Sequence, residues 1–272
     1  MPDISTTCYK HPNRETGVSC QRCDRYICTD CATPGAVGFL CPEDAADRVK
    51  IRRPAVNQSL TQAAPVTMAL IGLNVLVFVG QQLNPELINS LFYANIGSDT
   101  EQGSIVRVLT SGFTHSQNQY THILFNMYSL FVLGTFVEPL VGKLRFIVLY
   151  LLSLFGGALG VLFIAPVGTS VVGASGAVFG LMGAYLIFLR ALKLNASQML
   201  IIIGINLVVG FLPGIAWEAH VGGLVIGIAV ALVLVNTRSQ ARRTAQILGL
   251  VGITVLVFAL WIIGNAAVQS LY

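Results

Sequence analysis

The sequence predicts an all-α polytopic membrane protein that carries a small polar domain at its N-terminus. Hydrophobic residues make up 54% of its 272 residues and charged residues only 10%, which lies outside the range of soluble proteins. The charge is also unevenly distributed, because fifteen of the Asp, Glu, Lys and Arg residues lie within residues 1–53. The boundary near Arg53 therefore separates a polar domain from a membrane domain.

Seven membrane spans are predicted from the uncharged runs of the remaining chain. About twenty apolar residues cross a bilayer core, and a charge near its centre is costly. One run, 146–189, is too long for a single helix and is interrupted by Ala165-Pro166-Val167-Gly168. The predicted spans are 65–83, 121–138, 145–165, 171–190, 197–212, 217–236 and 246–265.

The Lys and Arg residues between these spans predict the orientation of the protein. Such residues are enriched on the cytoplasmic side of a membrane. One side of the predicted spans carries only Arg107, whereas the other carries Lys50, Arg52, Arg53, Lys143, Arg145, Arg190, Lys193, Arg238, Arg242 and Arg243. No signal peptide is predicted, because the first twenty residues lack an apolar core. We therefore expect a multi-pass protein of the plasma membrane with a cytoplasmic N-terminus and an extracytoplasmic C-terminus.

Four polar residues from three of the predicted spans share one depth in the membrane. With a cytoplasmic N-terminus, the second, fourth and sixth spans run inward, so residues early in each span lie near the outer face. These residues are His122, Asn126, Ser175 and His220. At a rise of about 1.5 Å per residue, each lies within roughly 10 Å of the outer end of its helix. A nucleophile, a base and two hydrogen-bond donors are therefore expected at one level.

These side chains match the requirements of a serine hydrolase built on two residues. A serine hydroxyl needs a base to remove its proton, and His220 is the base available at the depth of Ser175. No Asp follows Asp99, so a Ser-His-Asp triad is excluded and a dyad remains. His122, Asn126 and the Ser175 backbone N–H are the donors available for an oxyanion. Structural alternatives stay open, because Ser and Gly are common in membrane helices and polar side chains can simply join neighbouring helices.

The polar residues belong to four short motifs: His122-Ile-Leu-Phe-Asn126, Glu138 with Gly142, Gly173-Ala-Ser175-Gly176, and Ala219-His220 with Gly223 and Gly227. Together these motifs, within residues 65–236, resemble the rhomboid family of intramembrane serine proteases. The resemblance implies a six-helix core in which Ser175 attacks a peptide bond and His220 acts as base and then as acid. It further implies that His122 and Asn126 line the oxyanion hole and that Phe179 packs against His220. The seventh span looks like the extra C-terminal helix of some members.

Glycine residues also predict how two of these spans pack together. Gly176 and Gly180 lie four residues apart in the fourth span, as do Gly223 and Gly227 in the sixth. Small residues at this spacing let two helix backbones approach closely. We therefore expect contact between these spans below Ser175 and His220.

The polar domain contains eight candidate metal ligands, arranged as four pairs. A two-residue gap puts both side chains of a pair on one side of a tight turn, and two such turns complete a tetrahedral site. Up to two zinc ions are therefore predicted. The even number of cysteines also permits a disulfide framework, but thiols stay reduced in the cytosol, which favours zinc. The pairs are Cys8 with His11, Cys20 with Cys23, Cys28 with Cys31, and Cys41 with Asp44.

This spacing resembles B-box-type cross-brace fingers, in which alternate pairs of ligands share one metal. The resemblance implies a first site formed by Cys8, His11, Cys28 and Cys31. It implies a second site formed by Cys20, Cys23, Cys41 and Asp44. Asp44 stands where a cysteine or a histidine is more usual.

Taken together, the sequence predicts a zinc-finger-like cytosolic domain (1–46), a linker (47–64), a six-helix rhomboid-like catalytic core (65–236) and a seventh membrane helix with the C-terminus (237–272). The predicted function is a serine endopeptidase that cleaves transmembrane proteins near the outer face and needs no cofactor for catalysis. Its predicted partners are a transmembrane substrate, the lipid bilayer and a cytosolic partner of the N-terminal domain, with no nucleic acid. The alternative is a catalytically inactive rhomboid-like protein that binds transmembrane helices.

Overall fold

A computed structural model describes residues 6–34, 38–46, 64–97 and 100–271 of the chain. The chain divides into two compact units, Met1–Gln58 and Ser59–Tyr272. Nearly all of the predicted linker, including Lys50, Arg52 and Arg53, lies outside the described residues.

The N-terminal unit consists of short strands and one helical turn around a core of cysteines. Strand β1 (Thr7–Cys8) pairs antiparallel with β2 (His11–Glu15), and β3 (Thr33–Pro34) pairs with β4 (Phe39–Leu40). The short helix α1 (Pro42–Ala46) follows β4. Five cysteines and Ile27 are buried in this unit. Such a small apolar core requires a further source of stability, such as a bound metal.

The membrane unit is helical, in agreement with the predicted fold class. Its helices are α2 (Pro65–Leu83), α3 (Ile105–Ser111), α4 (Tyr120–Val141), α5 (Lys143–Ile164), α6 (Ser175–Ala191), α7 (Ser197–Gly210), α8 (Trp217–Asn236) and α9 (Arg243–Gln269). In the described part of the chain, five helices are long and apolar enough to cross a membrane, namely α2, α4, α5, α8 and α9. Helices α6 and α7 are apolar but shorter. The protein is therefore a multi-pass membrane protein.

The fourth predicted span begins later than its apolar pattern suggests. Ser170 and Val171 form strand β6 (Ser170–Val171), which pairs with β5 (Tyr93–Ala94) in the loop between α2 and α3. Gly173 then adopts a φ of 120°, a conformation that favours glycine, and its N–H donates to the Ser111 carbonyl at 2.8 Å. Helix α6 therefore begins at Ser175 rather than near residue 171.

Helix α8 lies in close backbone contact with both α5 and α6. A β-carbon added at Gly223 would lie 2.0 Å from the carbonyl oxygen of Gly176, and one added at Gly227 would lie 2.2 Å from that of Gly180. On the α5 side, a β-carbon at Gly222 would lie 2.1 Å from the carbonyl oxygen of Gly156. The predicted contact between the fourth and sixth spans is therefore confirmed.

The start of α2 is held by a buried carboxylate from the far end of α4. Glu138 is 1% exposed and accepts hydrogen bonds from the backbone N–H groups of Val66 and Thr67 at 3.0 and 2.7 Å. The Thr67 hydroxyl donates to the same carboxylate at 2.8 Å. These are N–H groups of the first turn, which have no partner inside their own helix. Glu138 therefore fastens α2 to α4.

We expect Glu138→Ala to destabilise the membrane unit by at least ~2 kcal/mol, because it leaves buried donors unpaired at roughly 1–3 kcal/mol each. Thermal unfolding in detergent measures the loss. Glu86→Ala is the matched control, since the Glu86 carboxylate is exposed. Equal stability of the two variants would contradict a fastening role for Glu138.

Candidate active site

Ser175 is the first residue of α6 and is half-buried. Its position follows from the β6 pairing and the Gly173 turn, which end the extended chain two residues earlier. No acceptor for the Ser175 backbone N–H lies among the described residues, as expected for the first turn of a helix. The hydroxyl and a free backbone donor therefore come from the same residue, at the positive end of the helix dipole.

His220 lies in the first turn of α8 and is only 7% exposed. Its ring stacks on Phe179, with ring centroids 4.1 Å apart and an interplanar angle of 8°. Phe179 is four residues after Ser175 on α6, a rise of about 6 Å along the same helix face. The Phe179 ring therefore holds the imidazole against the face of α6 that carries Ser175, and no hydrogen bond joins Ser175 to His220 among the described residues.

No carboxylate among the described residues forms a hydrogen bond or an ion pair with this imidazole. His220 Nδ1 is buried and has no hydrogen-bond partner among the described residues. Glu218, the acidic residue nearest in sequence, has its backbone carbonyl packed closely against Gly160 of α5. Within the described part of the chain, His220 therefore has no acidic partner.

His122 and Asn126 lie against the turn that precedes Ser175. A β-carbon at Gly173 would lie 2.7 Å from His122 Nε2 and 3.9 Å from Asn126 Nδ2. The Asn126 amide donates to the His122 carbonyl at 2.9 Å, which uses one of its two amide hydrogens. These two side chains from α4 are thus brought to within two residues of the serine.

The backbone around His122 indicates which ring nitrogen carries its proton. The Ser116 backbone N–H donates to His122 Nδ1 at 3.5 Å. A neutral imidazole that accepts at Nδ1 carries its proton on Nε2. His122 therefore presents an N–H donor toward Gly173 and the start of α6.

Sequence reasoning did not assign Gln81 and His115 to this site. The Gln81 amide forms a reciprocal pair with the His115 backbone, accepting from its N–H at 3.1 Å and donating to its carbonyl at 2.9 Å. The His115 ring is fully buried, 5.1 Å from the His122 ring. The sequence feature that could have pointed to Gln81 is its polar amide side chain, which lies within the otherwise apolar helix α2.

The N-terminal unit brings its eight predicted ligands together as two groups of four. One group is Cys8, His11, Cys28 and Cys31, the other is Cys20, Cys23, Cys41 and Asp44, and the ligand atoms of each lie within 4.8 Å of one another. The six thiols are free rather than paired in disulfides. These groups match the pairing that the B-box resemblance implied.

The separations within each group fit a tetrahedral zinc ion, for which two sulfur ligands lie about 3.8 Å apart. The Sγ atoms of Cys23 and Cys41 are 3.7 Å apart, and His11 Nδ1 lies 3.4 Å from both Cys28 Sγ and Cys31 Sγ. Hydrogen bonds from the thiols of Cys23, Cys41 and Cys20 lower the pKa of Asp44 to about 2. Asp44 is therefore ionised and able to bind a cation at neutral pH.

The amino-acid sequence is similar to those of several known proteins. The chain is 32% identical over 204 residues to Rhomboid protease GluP of Bacillus subtilis, covering 70% of this chain and 39% of that protein. It is 38% identical over 136 residues to RHOMBOID-like protein 6, mitochondrial, of Arabidopsis thaliana, covering 47% of this chain and 43% of that protein. It is 36% identical over 134 residues to Inactive RHOMBOID-like protein 8 of the same plant, covering 46% of this chain and 37% of that protein.

The chain thus spans less than half the length of these relatives. The Rhomboid domain family matches residues 102–237, which is half of the chain and includes all four polar residues of the candidate site. On the strength of that match, the chain belongs to the rhomboid family.

Proposed function

We propose that the protein is an intramembrane serine endopeptidase that cleaves transmembrane proteins near the outer membrane face. The observation that carries the proposal is the stacking of His220 on Phe179, which holds a buried base against the helix face that carries Ser175. Polar side chains are costly in an apolar environment, so four of them in one region call for a functional explanation. Peptide hydrolysis uses all four, namely Ser175, His220, His122 and Asn126.

In the proposed mechanism the Ser175 hydroxyl attacks the carbonyl carbon of the scissile peptide while His220 takes its proton. The developing oxyanion accepts hydrogen bonds from the Ser175 backbone N–H, His122 Nε2 and the remaining Asn126 amide hydrogen. His220 then gives its proton to the leaving amine, and the peptide bond breaks to leave an acyl-serine. A water molecule, deprotonated by His220, hydrolyses this ester and regenerates the Ser175 hydroxyl.

The test uses the purified full chain and a single-span reporter protein in liposomes. Cleavage should occur near one end of the reporter helix, and mapping of the new N-terminus locates the bond. The alternative function is binding of transmembrane helices without cleavage, which is of interest because one similar plant protein is described as inactive. Capture of the reporter with no cleavage and no labelling of Ser175 by a fluorophosphonate would support that alternative.

Removal of the Asn126 amide should slow cleavage by about 10²–10³-fold, because one oxyanion donor among several is lost. Asn126→Ala also removes the hydrogen bond to the His122 carbonyl. Thr135→Ala is the matched control, since the Thr135 hydroxyl donates to the Phe131 carbonyl four residues earlier on the same helix, at 2.7 Å. If both variants lose the same activity and stability, Asn126 is structural.

Substrate access should depend on α7, which has only three buried residues, Met199, Ile203 and Gly210. The segment 211–217 that follows it contains Pro213 and Gly214, which interrupt helices, and we propose that it forms a mobile cap beside the site. A cross-link between introduced side chains on α7 and α4 should slow cleavage of a membrane-embedded substrate more than that of an exposed one. A cross-link between α5 and α8, which already touch, is the control. Equal slowing of both substrates would argue against a gate at α7.

We further propose that the N-terminal domain holds one or two zinc ions in the two ligand groups and recognises a cytosolic partner or substrate tail. Bound zinc would supply structural cross-links only, since each group of four ligands leaves no open coordination position. The proposed location is the plasma membrane, with this domain in the cytoplasm and the C-terminus outside. Protease protection of epitope tags at the two ends tests this orientation.

A further inference from the structure

A cavity of about 300 Å³ opens on the membrane unit at the end that carries most of its Lys and Arg residues. It lies where α5 begins, α8 ends and α9 begins, so the ends of three helices meet around it. Its lining consists of Arg145, Thr237, Arg238, Ser239, Arg243 and Gln246. Three arginines from two distant parts of the sequence thus share one cavity.

One of these arginines is held in place by a buried amide. Gln246 is 6% exposed, and its Oε1 accepts from Arg145 Nε at 2.7 Å. The Gln246 amide donates to the Thr237 hydroxyl at 3.0 Å, which fixes its orientation. Arg145 Nη1 donates to the Val141 carbonyl at 3.2 Å. The guanidinium is therefore anchored on one side, and its Nη2 amino group has no acceptor among the described residues.

The positive charge of the cavity is not neutralised within the part of the chain that the structure describes. The lining contains no carboxylate. After Glu138 the sequence has only one acidic residue, Glu218, which lies at the opposite end of α8 from Thr237. Three arginines beside one another without a counter-ion repel one another and attract an anion.

A general preference for basic residues on the cytoplasmic side does not explain this arrangement. Lys143, Arg190, Lys193 and Arg242 lie on the same side of the membrane without lining the cavity. A preference for basic residues on one side of the membrane would not bring two distant segments together around one cavity. It would also not explain why Gln246 is buried beside Arg145. Arginine, moreover, is the side chain whose planar donor pair matches a phosphate group.

We propose that this cavity binds the phosphate group of an anionic phospholipid from the adjacent membrane leaflet. The ends of α5, α8 and α9 bound the apolar spans and so lie at the level of lipid headgroups. Basic pockets between membrane helices suit such headgroups. A lipid bound there would join α9, the helix outside the six-helix core, to α5 and α8.

The test measures binding of phosphatidylglycerol to the full chain by native mass spectrometry, with phosphatidylcholine as the neutral comparison. Each arginine near a charged headgroup contributes about fivefold in affinity, so Arg238→Gln with Arg243→Gln should raise the Kd about 25-fold. Arg242→Gln is the matched control. It removes the same charge from the same loop, but the Arg242 guanidinium donates to the Asn236 carbonyl at 2.9 Å and does not line the cavity.

The outcomes separate a built site from diffuse attraction and a lipid from a soluble anion. Weaker binding in the double variant but not in Arg242→Gln supports the proposal, as does weaker binding in Gln246→Leu, which frees Arg145. Equal weakening in the control, or no preference over phosphatidylcholine, overturns it. Inorganic phosphate is added in a separate arm. If it displaces the phosphatidylglycerol with the same arginine dependence, the cavity is a phosphate site whose ligand is soluble, and the lipid assignment is wrong.

Discussion

Ser175→Ala and His220→Ala are each expected to lower cleavage of a membrane-spanning reporter by ~10⁴-fold or more, because a nucleophile and its base act as one unit. Both variants should still accumulate and unfold at temperatures close to that of the unaltered protein. A fluorophosphonate probe should label the unaltered chain at Ser175 and fail to label Ser175→Ala. Labelling of His220→Ala should be greatly slowed, since its serine has lost the base.

Ser170→Ala is the matched control for this experiment. Ser170 lies five residues before Ser175, in strand β6, and its side chain is exposed. It should retain full activity and full labelling. If either Ser175→Ala or His220→Ala retains most of the activity, the proposed dyad is wrong.

Removal of zinc is expected to unfold the N-terminal domain while leaving Ser175 reactive. Structural zinc contributes about 10–16 kcal/mol to folding of small metal-binding domains, far more than the few apolar residues of this one. All of the metal ligands belong to the N-terminal unit, whereas Ser175 and His220 belong to the membrane unit, so loss of the metal should not disturb the proposed dyad. A strong chelator should therefore expose the thiols of residues 6–46 to alkylation without reducing fluorophosphonate labelling. A chain starting at Arg53 should still cleave a minimal substrate.

Metal analysis of the purified protein should give one or two zinc ions per chain. Asp44→Cys should increase retention of the second ion, because a thiolate is a softer zinc ligand than a carboxylate. Cys28→Ser should release the first ion. Glu15→Ser is the matched control, since Glu15 belongs to neither ligand group. A protein that contains no zinc, or that loses labelling at Ser175 on chelation, would contradict this division between the two units.

The amino-acid pattern alone was enough to predict the membrane character, most of the helix bounds and the four sequence pairs of candidate metal ligands. Local pattern carries each of these, because an apolar run of about twenty residues can satisfy its backbone in lipid only as a helix. Helix α2 occupies residues 65–83, as predicted, and α8 occupies 217–236, as predicted. The two-residue gaps between Cys28 and Cys31 and between Cys20 and Cys23 likewise required no distant contact to be recognised.

How the polar residues meet depends on contacts between distant parts of the chain. Helix α6 begins at Ser175 because β6 pairs with β5, with Ser170 opposite Ala94, 76 residues earlier (170 − 94), and no local apolar pattern encodes that pairing. The position of the His220 ring on α8 follows from its stacking on Phe179 of α6. The arginine cavity likewise depends on Gln246 reaching Arg145, about a hundred residues apart. Periodicity places a residue on a helix face, whereas contacts between distant segments arise only when the helices pack.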